Sequence, residues 1–198
     1  MPSIDRMRPQ PDDRLAFFQG FLRKPMQVGS IIPSSRFLER RIARAAGIER
    51  ARLVIELGPG TGGTTRALLR QMRSDATLLA IEIDPHFVSV LRRLNHDRRL
   101  IVHEGSATDV RQILAKYELG APDVVLSGIP FSTMTRPLGR DIIRSVHDSL
   151  EPGGVFVAYQ VRDRVKILGS EVFGRARTDM VLLNVPPMRV YRWEKQAR

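Results

Sequence analysis

Two carboxylates and a run of glycines stand at the spacing that holds a nucleoside. Glu56 follows the apolar run Leu53-Val54-Ile55 and precedes Gly58, Gly60 and Gly62. Glu82 sits near the end of a second apolar run, Leu78-Leu79-Ala80-Ile81-Glu82-Ile83-Asp84, about 20 residues past the turn, where a ribose-binding acid belongs. Glycines at these positions let the backbone turn sharply and come close to a ligand. The helix expected from Thr64 to Met72 would point free N–H groups at that ligand. A carboxylate at Glu82 can accept hydrogen bonds from both ribose hydroxyls. A glycine turn alone also suits any tight strand-to-helix connection, so the second acid carries more weight than the first motif.

The elements needed to position these residues are legible as an alternation of strands and helices. Strand, tight turn and helix form the opening of a nucleotide-binding α/β unit. Leu53 to Ile55 is apolar and partly β-branched, as in a strand buried on both faces. Pro85 to Leu94 reads as a helix, Leu100-Ile101-Val102-His103 as a third strand and Val110 to Tyr117 as a further helix. Pro122 to Phe131 contains the fourth strand and its exit loop, Leu138 to Leu150 an amphipathic helix and Val155 to Val161 the fifth strand. Asp179 to Val185 and Met188 to Trp193 read as a terminal antiparallel pair joined by Pro186-Pro187.

Glu56-x-Gly58-x-Gly60 with Glu82 resembles the first motif and second-strand acid of the class I methyltransferases that use S-adenosylmethionine. The resemblance runs from about Arg36 to Trp193. A nicotinamide-binding Rossmann fold is the competitor, but it prefers a GxGxxG turn and rarely has an acid just before it. Here Gly58-Pro59-Gly60-Thr61-Gly62-Gly63 ends one glycine out of phase. The resemblance implies an α/β, Rossmann-like fold: a seven-stranded, mostly parallel sheet with a terminal antiparallel strand and helices on both faces. It implies S-adenosyl-L-methionine as cofactor, held by Gln27, Ser30, Glu56, Gly58, Gly60, Thr61, Gly62, Glu82, Ile83, Ser106, Ala107 and Ser127. Ser106 and Ala107 would flank the adenine, the small Ala107 leaving room for the flat base.

Two methyltransferase families resemble the segment before the domain. Bacterial phospholipid N-methyltransferases have a stretch similar to Gly29-Ser30-Ile31-x-Pro33-Ser34-Ser35, and ribosomal RNA adenine dimethyltransferases place a glutamine-bearing loop here. The fourth strand's exit separates them. Adenine-methylating enzymes carry Asn or Asp, then Pro, then an aromatic residue. This chain has Pro130-Phe131 preceded by Ser127-Gly128-Ile129, so the amide that would bond a base is missing. The helical RNA-gripping domain that those enzymes add after the sheet is not expected here. The expected activity is therefore methylation of phosphatidylethanolamine and its methylated intermediates towards phosphatidylcholine. Ile129, Pro130, Phe131, Tyr159, Arg162, Arg175 and Arg177 are the substrate-side candidates, with Arg164 beside them. Phe131 and Tyr159 would hold methylated ammonium by cation–π attraction. Tyr159 is the candidate catalytic residue, handling a proton through its hydroxyl. Ser34 or Ser35 would cap a helix carrying Arg40, Arg41 and Arg44 outward.

Composition supplies the setting. A chain of 198 residues suits one domain. It contains no cysteine, and its four histidines lack metal-ligand spacing, so no metal is expected. The formal net charge of +11 implies an anionic partner. Residues 1–35 are expected to form an N-terminal membrane-binding unit and residues 36–198 the methyltransferase domain. Met1 to Pro11 is proline- and charge-rich and reads as disordered. Asp12 to Lys24 reads as an amphipathic helix with Leu15, Phe17, Phe18, Phe21 and Leu22 on one arc. That helix either docks on the domain or a partner, or lies among lipid headgroups. No apolar run reaches the ~20 residues needed to span a bilayer, and no signal core is evident. The expectation is a monomer, peripheral on the inner face of the cytoplasmic membrane, with anionic phospholipid and no nucleic acid as partner. The alternatives are an RNA or small-molecule methyltransferase of the same fold, and a basic binding module without catalysis.

Overall fold

Near-continuous apolar strands need cover on both faces, and the intervening amphipathic segments supply it. The computed structural model describes residues 35–93, 96–184 and 186–197. Helix α1 (Arg36–Ala46) leads into β1 (Leu53–Leu57), α2 (Gly63–Leu69), β2 (Thr77–Glu82), α3 (Pro85–Arg93) and β3 (Leu100–Glu104). Then follow α4 (Val110–Lys116), β4 (Val124–Ser127), α5 (Arg136–Ser149), β5 (Val155–Gln160), α6 (Arg164–Phe173), β6 (Arg177–Val181) and β7 (Met188–Glu194). Single 3-10 turns at Ala107–Asp109 and Phe131–Thr133 precede α4 and α5.

The strands form one sheet in the order β3-β2-β1-β4-β5-β7-β6. Strands β1 to β5 are parallel, while β7 runs antiparallel to both β5 and β6. The order reverses between β1 and β4, which places the binding crevice beyond the C-terminal ends of those strands. This is the expected seven-stranded fold. One hydrophobic cluster packs α1, α2 and α3 on one face, and a second packs α4, α5 and α6 on the other. Ser35 caps α1, its Oγ accepting the Leu38 N–H at 3.2 Å. The expected N-terminal unit otherwise lies outside the described residues, as does its amphipathic helix.

Helix α6 is an element that the sequence reading passes over. Arg164, Lys166 and Glu171 look like a charge run, yet Val165, Leu168 and Gly169 are buried at helical spacing. Gly169 is there because Trp193 needs its space. A Cβ on Gly169 would lie 2.4 Å from Cζ2 of the indole, which stacks on Phe156 with ring centroids 5.3 Å apart. Gly169→Ala is therefore expected to destabilise the fold by about 1–3 kcal/mol through overpacking. Urea denaturation would show this as a lower midpoint at an unchanged slope.

Candidate functional site

The loops that leave β1, β2, β3 and β4 meet at one end of the sheet. Three backbone hydrogen bonds carry the strand ladder up into them. Gly58 N–H donates to Ile81 O at 3.0 Å, Gly128 N–H to Leu57 O at 3.0 Å and Gly105 N–H to Glu82 O at 2.9 Å. The first loop turns at Gly58, Gly60 and Gly62, all with positive φ (68°, 55° and 78°), a region costly for side-chain-bearing residues. Gly58 is doubly constrained, since a Cβ there would stand 3.0 Å from Ile129 Cγ1.

A crevice of about 620 Å³, open to solvent, lies between these loops. Gly58, Glu82, Ile83, Gly105, Ser106 and Ala107 line one side; Ile129, Pro130, Thr133, Met134, Leu138 and Ile142 line the other. Thr133, Met134, Leu138 and Ile142 were not among the sequence candidates. Thr133 and Met134 sit on and just after the second 3-10 turn, and Leu138 and Ile142 lie in α5, where periodicity reads them only as helix core.

Glu82 is the polar centre of this crevice and is only 2% exposed. Its Oε1 accepts the N–H groups of Ile83 (2.8 Å) and Asp84 (3.0 Å), and its Oε2 accepts that of Gly60 (3.0 Å). A carboxylate offers about four lone-pair positions. Glu82 therefore has room for one further donor while it ties the β2 exit to the glycine turn. Two ribose hydroxyls would require one backbone N–H to give way. Burial raises its pKa, and the three N–H bonds counter that rise.

Glu56 lies beneath the turn, fully buried. Its Oε2 accepts the Thr65 hydroxyl at 2.6 Å, while its Oε1 has no hydrogen-bond partner. Burial pushes its pKa up to about 7; the Thr65 bond opposes this and the nearby Glu82 adds to it. A buried, unpartnered carboxylate oxygen under a ligand-facing turn is costly unless something compensates it.

The remaining candidates divide. Ile83, Ser106, Ala107, Ile129 and Pro130 are brought together in the crevice wall. Thr61 is exposed at the turn. Ser127 is fully buried, its Oγ accepting the Ile129 N–H at 3.3 Å, so it shapes the loop. Phe131 is corrected: its ring is fully buried in the core beside Gly139, within the cluster that includes Leu168, and does not face the crevice. The 3-10 turn that begins at Phe131 rotates it inward. Tyr159 approaches the β4 exit, since a Cβ on Gly128 would meet its Oη at 2.7 Å. That hydroxyl donates to Thr64 Oγ1 at 3.4 Å, and burial, helped by Glu56, raises its pKa. The phenol therefore keeps its own proton at neutral pH, and any part Tyr159 takes is through its O–H and not as a phenolate.

Arg162 and Arg164 are exposed just after β5, at the crevice end of the sheet. Arg175 and Arg177 are exposed too, but away from that end. Strand β6 runs parallel to β5, and Arg177 pairs with Arg192, which pairs with Val157. Arg177 thus sits roughly three residues, or about 10 Å, below the strand end at Gln160, and Arg175 precedes it. The two arginines are corrected on that ground. Gln27 and Ser30 lie outside the described residues.

A family model described as a methyltransferase domain matches residues 54–154, the span from β1 through β4 to the turn before β5 that carries these loops. The chain belongs to the class I S-adenosylmethionine-dependent methyltransferases. An ornithine lipid N-methyltransferase from Singulisphaera acidiphila is 34% identical over 145 residues, 73% of this chain and 76% of that one. A ribosomal RNA small subunit methyltransferase A from Maricaulis maris is 38% identical over 103 residues, 51% of this chain and 35% of that protein. The chain thus spans about a third of that RNA methyltransferase's length. Among solved structures, the N-methyltransferase NodS from Bradyrhizobium japonicum, in complex with S-adenosyl-L-homocysteine, superposes with a TM-score of 0.66 at 13% identity. That match covers 91% of this chain and 99% of NodS.

The crevice of this methyltransferase fits S-adenosylmethionine on its own chemistry. Glu82 retains an acceptor position for a ribose hydroxyl, and Ala107 with Ile83 and Ile129 leaves an apolar slot for a flat base. The orphaned Glu56 Oε1 lies under the turn, a negative group suited to a cationic ligand once ionised.

Proposed function

We propose that this methyltransferase modifies the amine of a membrane aminolipid, with phosphatidylethanolamine and its methylated intermediates as the acceptor series leading to phosphatidylcholine. The observation that carries this reading is the exit of β4. Ser127, the polar side chain there, is turned into the loop and committed to Ile129 N–H. The wall beyond it consists of Ile129, Pro130, Met134, Leu138 and Ile142. Among the described residues, no amide or carboxylate lines that wall, and the nearby Gln160 spends its Nε2 on Ile129 O; an apolar wall suits a lipid amine.

When bound, the donor supplies a methyl group already activated on a sulfonium, so the protein's task is alignment and exclusion of water. Glu82 and the Gly58–Gly62 backbone fix the adenosine side. Apolar surroundings at the β4 exit lower the pKa of an entering ammonium and so favour the neutral amine. Arg162 and Arg164 stand where a lipid phosphate could be held. Tyr159 Oη, keeping its proton, can orient the acceptor but cannot deprotonate it. Tyr159→Phe is accordingly expected to lower kcat by no more than about fivefold, the worth of one neutral hydrogen bond. The pH–rate profile on lipid vesicles should keep its shape.

The ornithine lipid relative supports lipid N-methylation more broadly, and the acceptor assay should include that lipid. Purified protein would be incubated with methyl-labelled donor and liposomes containing phosphatidylethanolamine or an ornithine lipid, followed by lipid separation. A parallel reaction would contain ribosomal RNA. Label in methylated phosphatidylethanolamine is the expected result; label only in ornithine lipid would move the acceptor, and label only in RNA would overturn the reading. We further propose a monomer working peripherally on the inner face of the cytoplasmic membrane. Among the described residues, no helix is long and apolar enough to cross a membrane.

A further inference from the structure

We infer that Phe37, Leu182 and Leu183, rimmed by Arg40 and Arg41, form a surface that lies directly against an anionic phospholipid bilayer. The inference rests on the lipid-acceptor reading and adds the face of the domain that meets the lipid.

These three side chains are large, apolar and exposed: Phe37 by 54%, Leu182 by 69% and Leu183 by 65%. The fold brings them together from distant parts of the chain. Ser35 N–H donates to Asn184 Oδ1 at 3.0 Å, pinning the start of α1 to the β6–β7 loop. Asn184 Nδ2 in turn donates to Pro186 O at 2.9 Å and holds that loop's own shape. Arg41 pairs with Asp179 at 3.5 Å, so this side of α1 faces β6. Phe37 stands one helical turn above Arg41 on that same side. One turn is about 5.4 Å and a strand rises about 3.3 Å per residue. Phe37 is thus level with the end of β6, where Leu182 begins.

This cluster shares an end with the crevice. Val181 pairs with Met188, one register step beyond the Gln160–Arg189 pair that closes β5. Within the crevice, Glu82, Ser106 and Ala107 place the adenosine side at β2 and β3. The acceptor must then arrive from the side of β4 and β5. Strand order places β7 and β6 on that side. The apolar cluster therefore flanks the acceptor's approach.

Charge selects the occupant. Arg40 and Arg41, three and four residues past Phe37 on α1, are exposed beside the cluster, with Arg36 further round the helix towards Arg70, against the acids Glu39, which pairs with Arg70 at 3.6 Å, and Asp179. The whole chain carries +11. Projecting leucines have no counterpart in a polyanion such as RNA, whereas leucine and phenylalanine among arginines suit the headgroup boundary of an anionic membrane. The arginine stems can lie along the apolar side chains with their charges among phosphates.

The chain has no cysteine, so Leu182→Cys accepts a single environment-sensitive nitrobenzoxadiazole probe in the full-length protein. Adding phosphatidylcholine vesicles that contain phosphatidylglycerol should shift its emission to the blue, and pure phosphatidylcholine should do so much less. A Leu182→Asp/Leu183→Asp variant should lose about tenfold or more in vesicle affinity by sedimentation. Its calorimetric affinity for S-adenosylhomocysteine should be unchanged, which certifies the fold. Three results would overturn the inference. The probe could be blue-shifted before vesicles are added and unmoved afterwards, as when residues 1–34 or a second copy cover this face. The double variant could sediment like the parent, or the probe could respond to an RNA oligonucleotide and not to vesicles. A probe that shifts on vesicles while no lipid accepts label would uphold the surface and sink the acceptor reading. Label in micellar lipid with a silent probe would do the reverse.

Discussion

Glu82→Ala is expected to weaken binding of S-adenosylhomocysteine by one to two orders of magnitude. A hydrogen bond to a charged group contributes roughly 1.5–3 kcal/mol, or about 10–150-fold. The carboxylate has more than one task here. It offers an acceptor position towards the crevice, and it gathers the N–H groups of Gly60, Ile83 and Asp84. Alanine removes both, so the glycine turn loses its tie to β2 and the ligand loses its ribose contact. Glu82→Gln separates the two effects. Its carbonyl oxygen can still take part of the backbone set, but its amide cannot accept an N–H, so an intermediate loss is expected. Titration calorimetry on both variants, with thermal melts to certify folding, is the measurement. An alanine variant whose Kd stayed within about twofold of the parent, well under 1 kcal/mol, would remove the basis for placing the ribose at β2.

Glu56→Gln should flatten the loss of stability expected of the protein between acid and neutral pH. The folded-state pKa of Glu56, about 7, stands above the ordinary carboxylate value of 4.5. Folded protein thus holds a proton that unfolded chain has released. The stability that this proton contributes is complete below pH 4.5 and declines as the pH rises to about 7. The span corresponds to something on the order of 3 kcal/mol. Glutamine has no proton to lose, so relative to its own value at pH 5 the variant should be the more stable protein at pH 8. For a chain of this length each kcal/mol moves Tm by about 2–4 °C, which puts the differential at several degrees. Burial lowers the pKa of His103, which favours folding as pH rises, and subtracting variant from parent removes that contribution. Parallel curves for the two proteins from pH 5 to 8 would show that Glu56 titrates normally and is not the strained group beneath the turn.

The features legible in the chain are those that neighbours in sequence impose on one another. Leu53 to Ile55 and Leu78 to Ile81 are apolar without a break, so they become central strands whichever helices cover them. Gly58, Gly60 and Gly62 announce positive φ before any tertiary contact exists, and the structure places all three there. The interval from that turn to Glu82 is one helix and one strand, which is why an acid at the second strand's exit could be read from spacing alone. Ser106 and Ala107 came from the resemblance, and Ile129 and Pro130 from their place at the fourth strand's exit; in a parallel sheet all these exits share one end.

Long-range packing decided the rest. Phe131 has the residue type for stacking on a substrate, but the space beside Gly139 and near Leu168 draws its ring into the core. Arg175 and Arg177 follow the fifth strand closely in sequence, yet α6 carries the chain back along the sheet before β6 begins. Met134, Leu138 and Ile142 become crevice wall only when α5 packs across the β4 exit. The lone-pair count at Glu82 and the empty hydrogen-bonding position on Glu56 likewise depend on which backbone groups the fold delivers to them. Local sequence specifies backbone conformation through sterics and polarity over a few residues. Which way a side chain faces, and at which end of the sheet, is settled by partners tens of residues distant, and that information exists only in the packed structure.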